Sequence, residues 1–252
     1  MPTKSTTPIK GKEAATRDGQ NVSLVHDRLR EEILAGNIPE GETSQVALAR
    51  DLDVGRTPLR EALRMLQREG LVISEPNRRV RIAELSPTDA EELYVMRAGL
   101  EYVAIQITVA QLDSDGVAEL EGLMAQMDHY MRRHDSRGMR VPHRAFHGAL
   151  VVAAGERVAT TIALLFDHAE RYRVAFGATT PEIWDRRRAE HRAILDAVAE
   201  GDAPLAGRRL LEHYGSTAGL IFKGLAAEYD PVHLRVAMES LAPGSAASLD
   251  VQ

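Results

Sequence analysis

The stretch "GRTPLREALRML", residues 55–66, sets arginines at positions 56, 60 and 64 and leucines at 59, 63 and 66 around a Thr-Pro pair. At 100° per residue, Leu59, Ala62, Leu63 and Leu66 fall in one apolar arc, with Arg60, Arg64 and Arg68 on the opposite side. Pro58 suits the first turn of such a helix, where a missing N–H leaves no bond unmade, and Gly70 ends it after Glu69. One face packs and the other carries charge.

Upstream, Val22, Val25, Leu29 and Ile33 follow helical spacing until Gly36, Asn37, Pro39 and Gly41 break it. Ser44 then starts a short helix carrying Val46, Leu48 and Ala49. Downstream, "LVIS" and "VRIA" lean to β structure and are joined by the turn "EPNRR". Three helices and a small β-hairpin make a winged helix-turn-helix over residues 21–84, behind a polar, disordered tail at 1–20. In such a unit the helix after the turn enters the major groove and the wing reaches backbone or minor groove. Arginine suits both tasks, because its planar fork pairs with guanine edges or phosphate. Arg56 and Arg60 are placed near bases, and Arg64 and Arg68 nearer phosphate or water. The competing reading is an amphipathic helix with a solvated arginine face.

The chain's net charge of −6 speaks against a nucleic-acid binder. Between Arg50 and Arg81, however, eight arginines face five acids, so position matters more than sum. Absence of cysteine excludes disulfides and thiolate metal sites and suits a cytoplasmic protein. No run approaches the roughly 18 apolar residues of a membrane span, so no membrane partner is expected.

After a linker at 85–88, helical patterns at about 88–112, 114–135, 139–154, 157–177, 181–200 and 203–226 predict a six-helix antiparallel bundle over residues 89–229, with 230–252 as a tail of no assigned role. The fold class is mainly α. Tyr102, Tyr172, Phe176 and Trp184 read as core. His143 and His147 lie on one helix face, and His191 and His213 are able to face them from neighbouring helices; converging imidazoles hold zinc or a similar ion. Surface or hydrogen-bonded core histidines are the alternative.

"LAGNIPEG", "LARDLDVGRTPLREALRMLQREGLV" and "PNRRVRI" resemble the N-terminal domain of the GntR family of bacterial transcription regulators over residues 22–84. Three positions depart from that pattern. Asp53 replaces a turn glycine, Gly55 a hydroxyl residue that touches DNA, and Arg79 a wing glycine. "MRAGLEYVAIQIT", "HRAFHGALVVAAG", "EHRAILDAVAEGD" and "APLAGRRLLEHY" resemble the FCD ligand-binding domain of the FadR subfamily. The resemblance implies a homodimeric repressor that binds an inverted-repeat operator in double-stranded DNA through Gly55, Arg56, Thr57, Arg60, Arg64, Arg78 and Arg79. It implies a metal on His143, His147, His191 and His213, and a small carboxylate effector near Arg97. His143 stands where the family has an aspartate, so an all-imidazole set favours zinc or nickel over magnesium. Arg171 and Arg173 are further acid clamps or surface ion-pair residues. The rival function, a metal-dependent enzyme using the histidine cluster, lacks the glutamate of an HExxH pattern in "HRAFH".

Overall fold

The computed structural model describes residues 11–38, 40–74, 79–176 and 180–250. The chain divides after Glu84 into two compact units.

In the first unit, helix α1 (Gly11–Leu34) is followed by strand β1 (Gly41–Ser44), α2 (Gln45–Asp51), α3 (Arg56–Arg68), β2 (Val72–Ser74) and β3 (Arg79–Ile82). Leu59, Ala62, Leu63 and Leu66 of α3 are buried against Val25, Leu29 and Ile33 of α1 and Leu48 of α2, which fixes the orientation of the arginine face. Each buried leucine contributes about 1.5–3 kcal/mol. Glu69 ties α3 to α1 by accepting from Arg30 Nε at 2.9 Å and pairing with His26 Nε2 at 2.5 Å. Gly70, at φ 77°, closes α3, with the N–H of Leu71 donating back to Leu66 O at 3.0 Å. Ser44 caps α2 by accepting from Val46 N at 3.2 Å.

Two expectations are corrected in this unit. Residues 11–20 are helical rather than a disordered tail, since Glu13, Ala14, Ala15 and Arg17 favour helix and no proline interrupts them. The wing is a three-stranded antiparallel sheet in the order β1-β3-β2, not a two-stranded hairpin. "GETS" contains little to announce a strand. Its backbone pairs with β3 from Gly41↔Ile82 to Ser44↔Arg79.

The second unit contains α4 (Pro87–Val109), α5 (Ser114–Met131), α6 (Ser136–Ala149), α7 (Glu156–Phe176), α8 (Pro181–Ala199), α9 (Ala203–Leu225) and α10 (Val232–Leu241), with short 3-10 turns at 152–154 and 245–250. Six of these helices are the predicted bundle. The break between α5 and α6 falls earlier than "DSRG" suggests: His134 takes φ 56°, and Asp135 caps α6 by accepting from Gly138 N at 2.7 Å. Ser86 caps α4, and Tyr172, buried as expected, donates its hydroxyl to Asp89 at 2.5 Å.

The segment from residue 230 is not a tail. Leu234, Met238, Ala242, Ala246 and Leu249 belong to the domain core. Glu91, buried on α4, accepts from Tyr229 Oη at 2.5 Å and from the backbone N–H groups of His233 and Leu234 at 2.7 and 3.2 Å, and so caps the first turn of α10. The final 3-10 turn lies directly on α9 because Gly215 and Gly219 leave room for it. A Cβ on Gly219 would stand 2.3 Å from the carbonyl oxygen of Leu249.

Candidate functional site

On α3, Arg56, Thr57, Arg60 and Arg64 are exposed, and Gly55 is an N-cap in extended conformation with no side-chain bond. Arg60 and Arg64 lie 3.5 and 3.0 Å from Glu61, and Arg79 lies 2.8 Å from Glu42. Exposed pairs of this kind are worth about 0–1 kcal/mol, so phosphate or a base edge readily displaces the carboxylates. Asp53 occupies its turn at φ 52°, which aspartate tolerates better than most residues. Arg78 lies outside the described residues.

In the second unit the structure brings together the four histidines. His143 and His147 come from α6, His191 from α8 and His213 from α9; all are buried, and one nitrogen from each lies within 4.8 Å of the others. Two of the rings are oriented from behind. His191 Nδ1 lies 2.8 Å from Arg187 O and His213 Nδ1 lies 2.8 Å from Glu190 Oε2, so each donates its Nδ1–H and keeps an Nε2 lone pair. His147 Nε2 is 3.2 Å from His191 Nε2, while His147 Nδ1 is buried with no hydrogen-bond partner among the described residues. Burial first, and then neighbouring imidazoles and arginines, hold His143, His147 and His191 well below the ordinary histidine value of 6.5. They are neutral, the form that binds metal.

This donor set fits a divalent ion. Four nitrogens at Zn–N distances of about 2.0–2.1 Å are roughly 3.3 Å apart in a tetrahedron, close to the observed 3.2 Å contact. Neutral nitrogen donors without a carboxylate suit zinc or nickel and not magnesium or calcium. Against the ion stands Arg173, whose Nη1 donates to the His143 ring, 2.9 Å from Nδ1.

Beside the imidazoles lies a partly open cavity bordered by His143, His191, His213, Arg173 and Arg187. Arg173, on α7, is paired with Glu170, and burial brings its guanidinium down to about 9. Burial likewise lowers Arg187, and its Nη2 is buried without a hydrogen-bond partner among the described residues. Burial raises Glu190, but hydrogen bonds from His213 and Ser216 outweigh it and hold the carboxyl below its ordinary value.

Arg97 is placed differently from expectation. It is buried in an ion pair with Glu101 at 2.8 Å, lies over the Tyr214 ring at 4.2 Å, and is not among the residues bordering this cavity. Arg173, read as a possible surface residue, takes the cavity position, and Arg171 is buried too. Trp184, expected in the core, lines the cavity. Signals for both exchanges were present. Glu101 follows Arg97 by four residues, the spacing of a helical ion pair, and Trp184 precedes His191 by seven, which is one helix face.

The first unit thus has the architecture of a DNA-binding winged helix-turn-helix, and the second that of a helical ligand domain. Residues 22–82 match the pattern described as bacterial regulatory proteins, gntR family, and residues 92–216 match the FCD domain. The chain is 31% identical over 206 residues to an uncharacterized HTH-type transcriptional regulator in an unstable DNA locus of Streptomyces ambofaciens, covering 79% of this chain and 84% of that one. It is 26% identical to the HTH-type transcriptional repressor GlaR of Escherichia coli K12, over 79% of this chain and 94% of the other. The solved structure of E. coli McbR/YncC aligns with a TM-score of 0.71 at 19% identity, covering 81% of this chain and 97% of that chain, and shares its fold. The protein belongs to the GntR family of transcription regulators, with an FCD domain as its C-terminal part, and is a DNA-binding regulator, not an enzyme. No helix among the described residues is long and apolar enough to cross a membrane.

Proposed function

We propose that this regulator is a cytoplasmic homodimeric repressor of the FadR subfamily, released from an inverted-repeat operator by a small organic acid bound in the cavity of its second unit. Two observations support the acid: the unpartnered Nη2 of Arg187 and the Arg173 guanidinium border the same space as the imidazoles. The one that carries it is Arg187, because a buried donor with no acceptor is costly until an anion supplies one. On the DNA side, the exposed arginines of α3 support Arg56, Thr57 and Arg60 as base readers at the helix start beside Gly55, with Arg64, Arg78 and Arg79 meeting backbone.

His147, His191 and His213, together with His143 if Arg173 gave up its bond to that ring, would hold a zinc or nickel ion. When bound, the ion supplies a Lewis-acidic cation that a carboxylate ligates. The chain's own residues do the rest. Arg187 and Arg173 orient the acid, and Glu190 and the Arg187 carbonyl fix the His213 and His191 rings. Binding lowers operator affinity only as far as the acid prefers the dimer geometry whose α3 helices miss the paired half-sites.

The test is a gel shift on the promoter fragment of the chain's own gene, at several salt concentrations, with zinc-loaded and chelator-stripped protein and an array of organic acids. Salt-dependent binding that at least one acid weakens by about tenfold or more is the expected result. Binding unmoved by every acid, with or without metal, refutes the effector reading.

A further inference from the structure

Away from the imidazoles the cavity wall changes character. Met124, Met127 and Met131 of α5, Met139 of α6 and Trp184 of α8 line it. On α6, Met139 lies one turn before His143; on α8, Trp184 lies two turns before His191, about 10 Å along the axis. Met139 and Trp184 therefore extend from the imidazole cluster along the helices that carry His143 and His191, and the three α5 methionines complete that wall. Three carboxylates near the cavity are engaged: Asp128 by Arg188 through bonds of 2.8 and 3.0 Å, Glu190 by His213 and Ser216, and Glu170 by Arg173.

We propose, building on the acid reading above, that the effector is a monocarboxylic acid with an apolar body. Its carboxylate meets Arg187 and the imidazole end, and its body lies against the methionines and Trp184. A second carboxylate would be driven against thioethers and indole carbon, which cannot replace its water, or would have to displace Asp128 from Arg188, the charged pair that also borders this wall. Methionine's unbranched, polarisable side chain moulds to rings and branched chains alike and makes favourable contacts with aromatic faces. A short polar acid such as acetate or malate leaves this wall unfilled.

Trp184 is the chain's single tryptophan, so its emission reports on the cavity without labelling. The full-length protein is titrated with benzoate, 3-phenylpropionate and 4-methylpentanoate, with acetate, succinate and citrate, and with 2-phenylethanol. Trp184 fluorescence and calorimetry are both followed. The expected result is that the tightest apolar monoacid binds at least about tenfold more tightly than acetate, succinate, citrate or 2-phenylethanol and shifts the Trp184 emission. Arg187→Gln should weaken that acid about tenfold or more. Met139→Gln should weaken it while leaving acetate unchanged, a readout that does not depend on how Arg187→Gln folds. If acetate, succinate or citrate binds as tightly as every apolar acid, the apolar body is refuted and the acid reading survives. If 2-phenylethanol equals the acids, the carboxylate end is refuted. If no acid binds at all, the acid reading itself falls.

Discussion

Gly219→Ala sets two effects of opposite sign against each other. Alanine in a helix interior is worth about 1 kcal/mol over glycine, so propensity alone makes the variant more stable. The structure reverses the sign. The new methyl would lie 2.3 Å from Leu249 O and 3.1 Å from Leu249 C, which are backbone atoms of the final 3-10 turn and not the end of a flexible side chain. Overpacking of this kind costs about 1–3 kcal/mol, and an immovable backbone carbonyl puts it in the upper half, leaving a net loss of about 1–2 kcal/mol after the helical gain. Gly122, inside α5, has nothing within 4 Å of its would-be Cβ, so Gly122→Ala should gain about 0.5–1 kcal/mol. At about 2–4 °C per kcal/mol, the two alanine variants should melt roughly 5–10 °C apart, with Gly219→Ala the lower. Calorimetry measures the gap, and limited proteolysis should cut Gly219→Ala first in its C-terminal segment. A Gly219→Ala protein that melts as high as Gly122→Ala would refute the claim that the terminal turn is seated on α9.

Arg60→Ala should weaken specific operator binding about 5- to 150-fold while leaving acid binding unchanged; equal gel-shift affinity for both proteins rules out its place at the bases. Glu190→Gln, which loses the charged acceptor behind His213, should lower zinc affinity about 10- to 100-fold in a competition titration with a chromophoric chelator. Because His143, His147 and His191 are held below their ordinary value of 6.5, the unfolded chain binds more protons than the folded one below that pH. Stability of the metal-free second unit should therefore be level above about pH 7 and decline as pH falls through 6.5. Urea midpoints that stay constant from pH 7.5 to 5.5 would contradict buried neutral rings.

The reading end of the molecule was legible because its signals are local. Leu59, Leu63 and Leu66 lie on one arc, Gly70 stops the helix, and Ser44 starts another, each an effect of a few neighbouring residues. β1 was hidden, since "GETS" is held by backbone bonds to a strand nearly forty residues away and has no apolar alternation of its own. The histidines could be nominated from their spacing on α6 and from resemblance, but their convergence depends on the packing of three helices. Arginine is the instructive failure. Arg97, Arg171 and Arg173 look alike in sequence, and partners decide between them: Glu101 engages Arg97, whereas Arg173 reaches the imidazole cluster. The segment of α10 reads as a tail because Leu234 and Met238 are a thin apolar stripe, and the buried Glu91 that caps the helix lies about 140 residues earlier.

The C-terminal turn gives α9 a rigid backing. The FCD match stops at residue 216, yet the chain returns to brace that helix at Gly215 and Gly219, beside His213, Ser216 and Thr217. His213 is therefore carried by a helix stretch that is closely packed against the end of the domain on one side. Across the cavity, α8 is tied to α5 by the half-exposed pair Arg188 to Asp128.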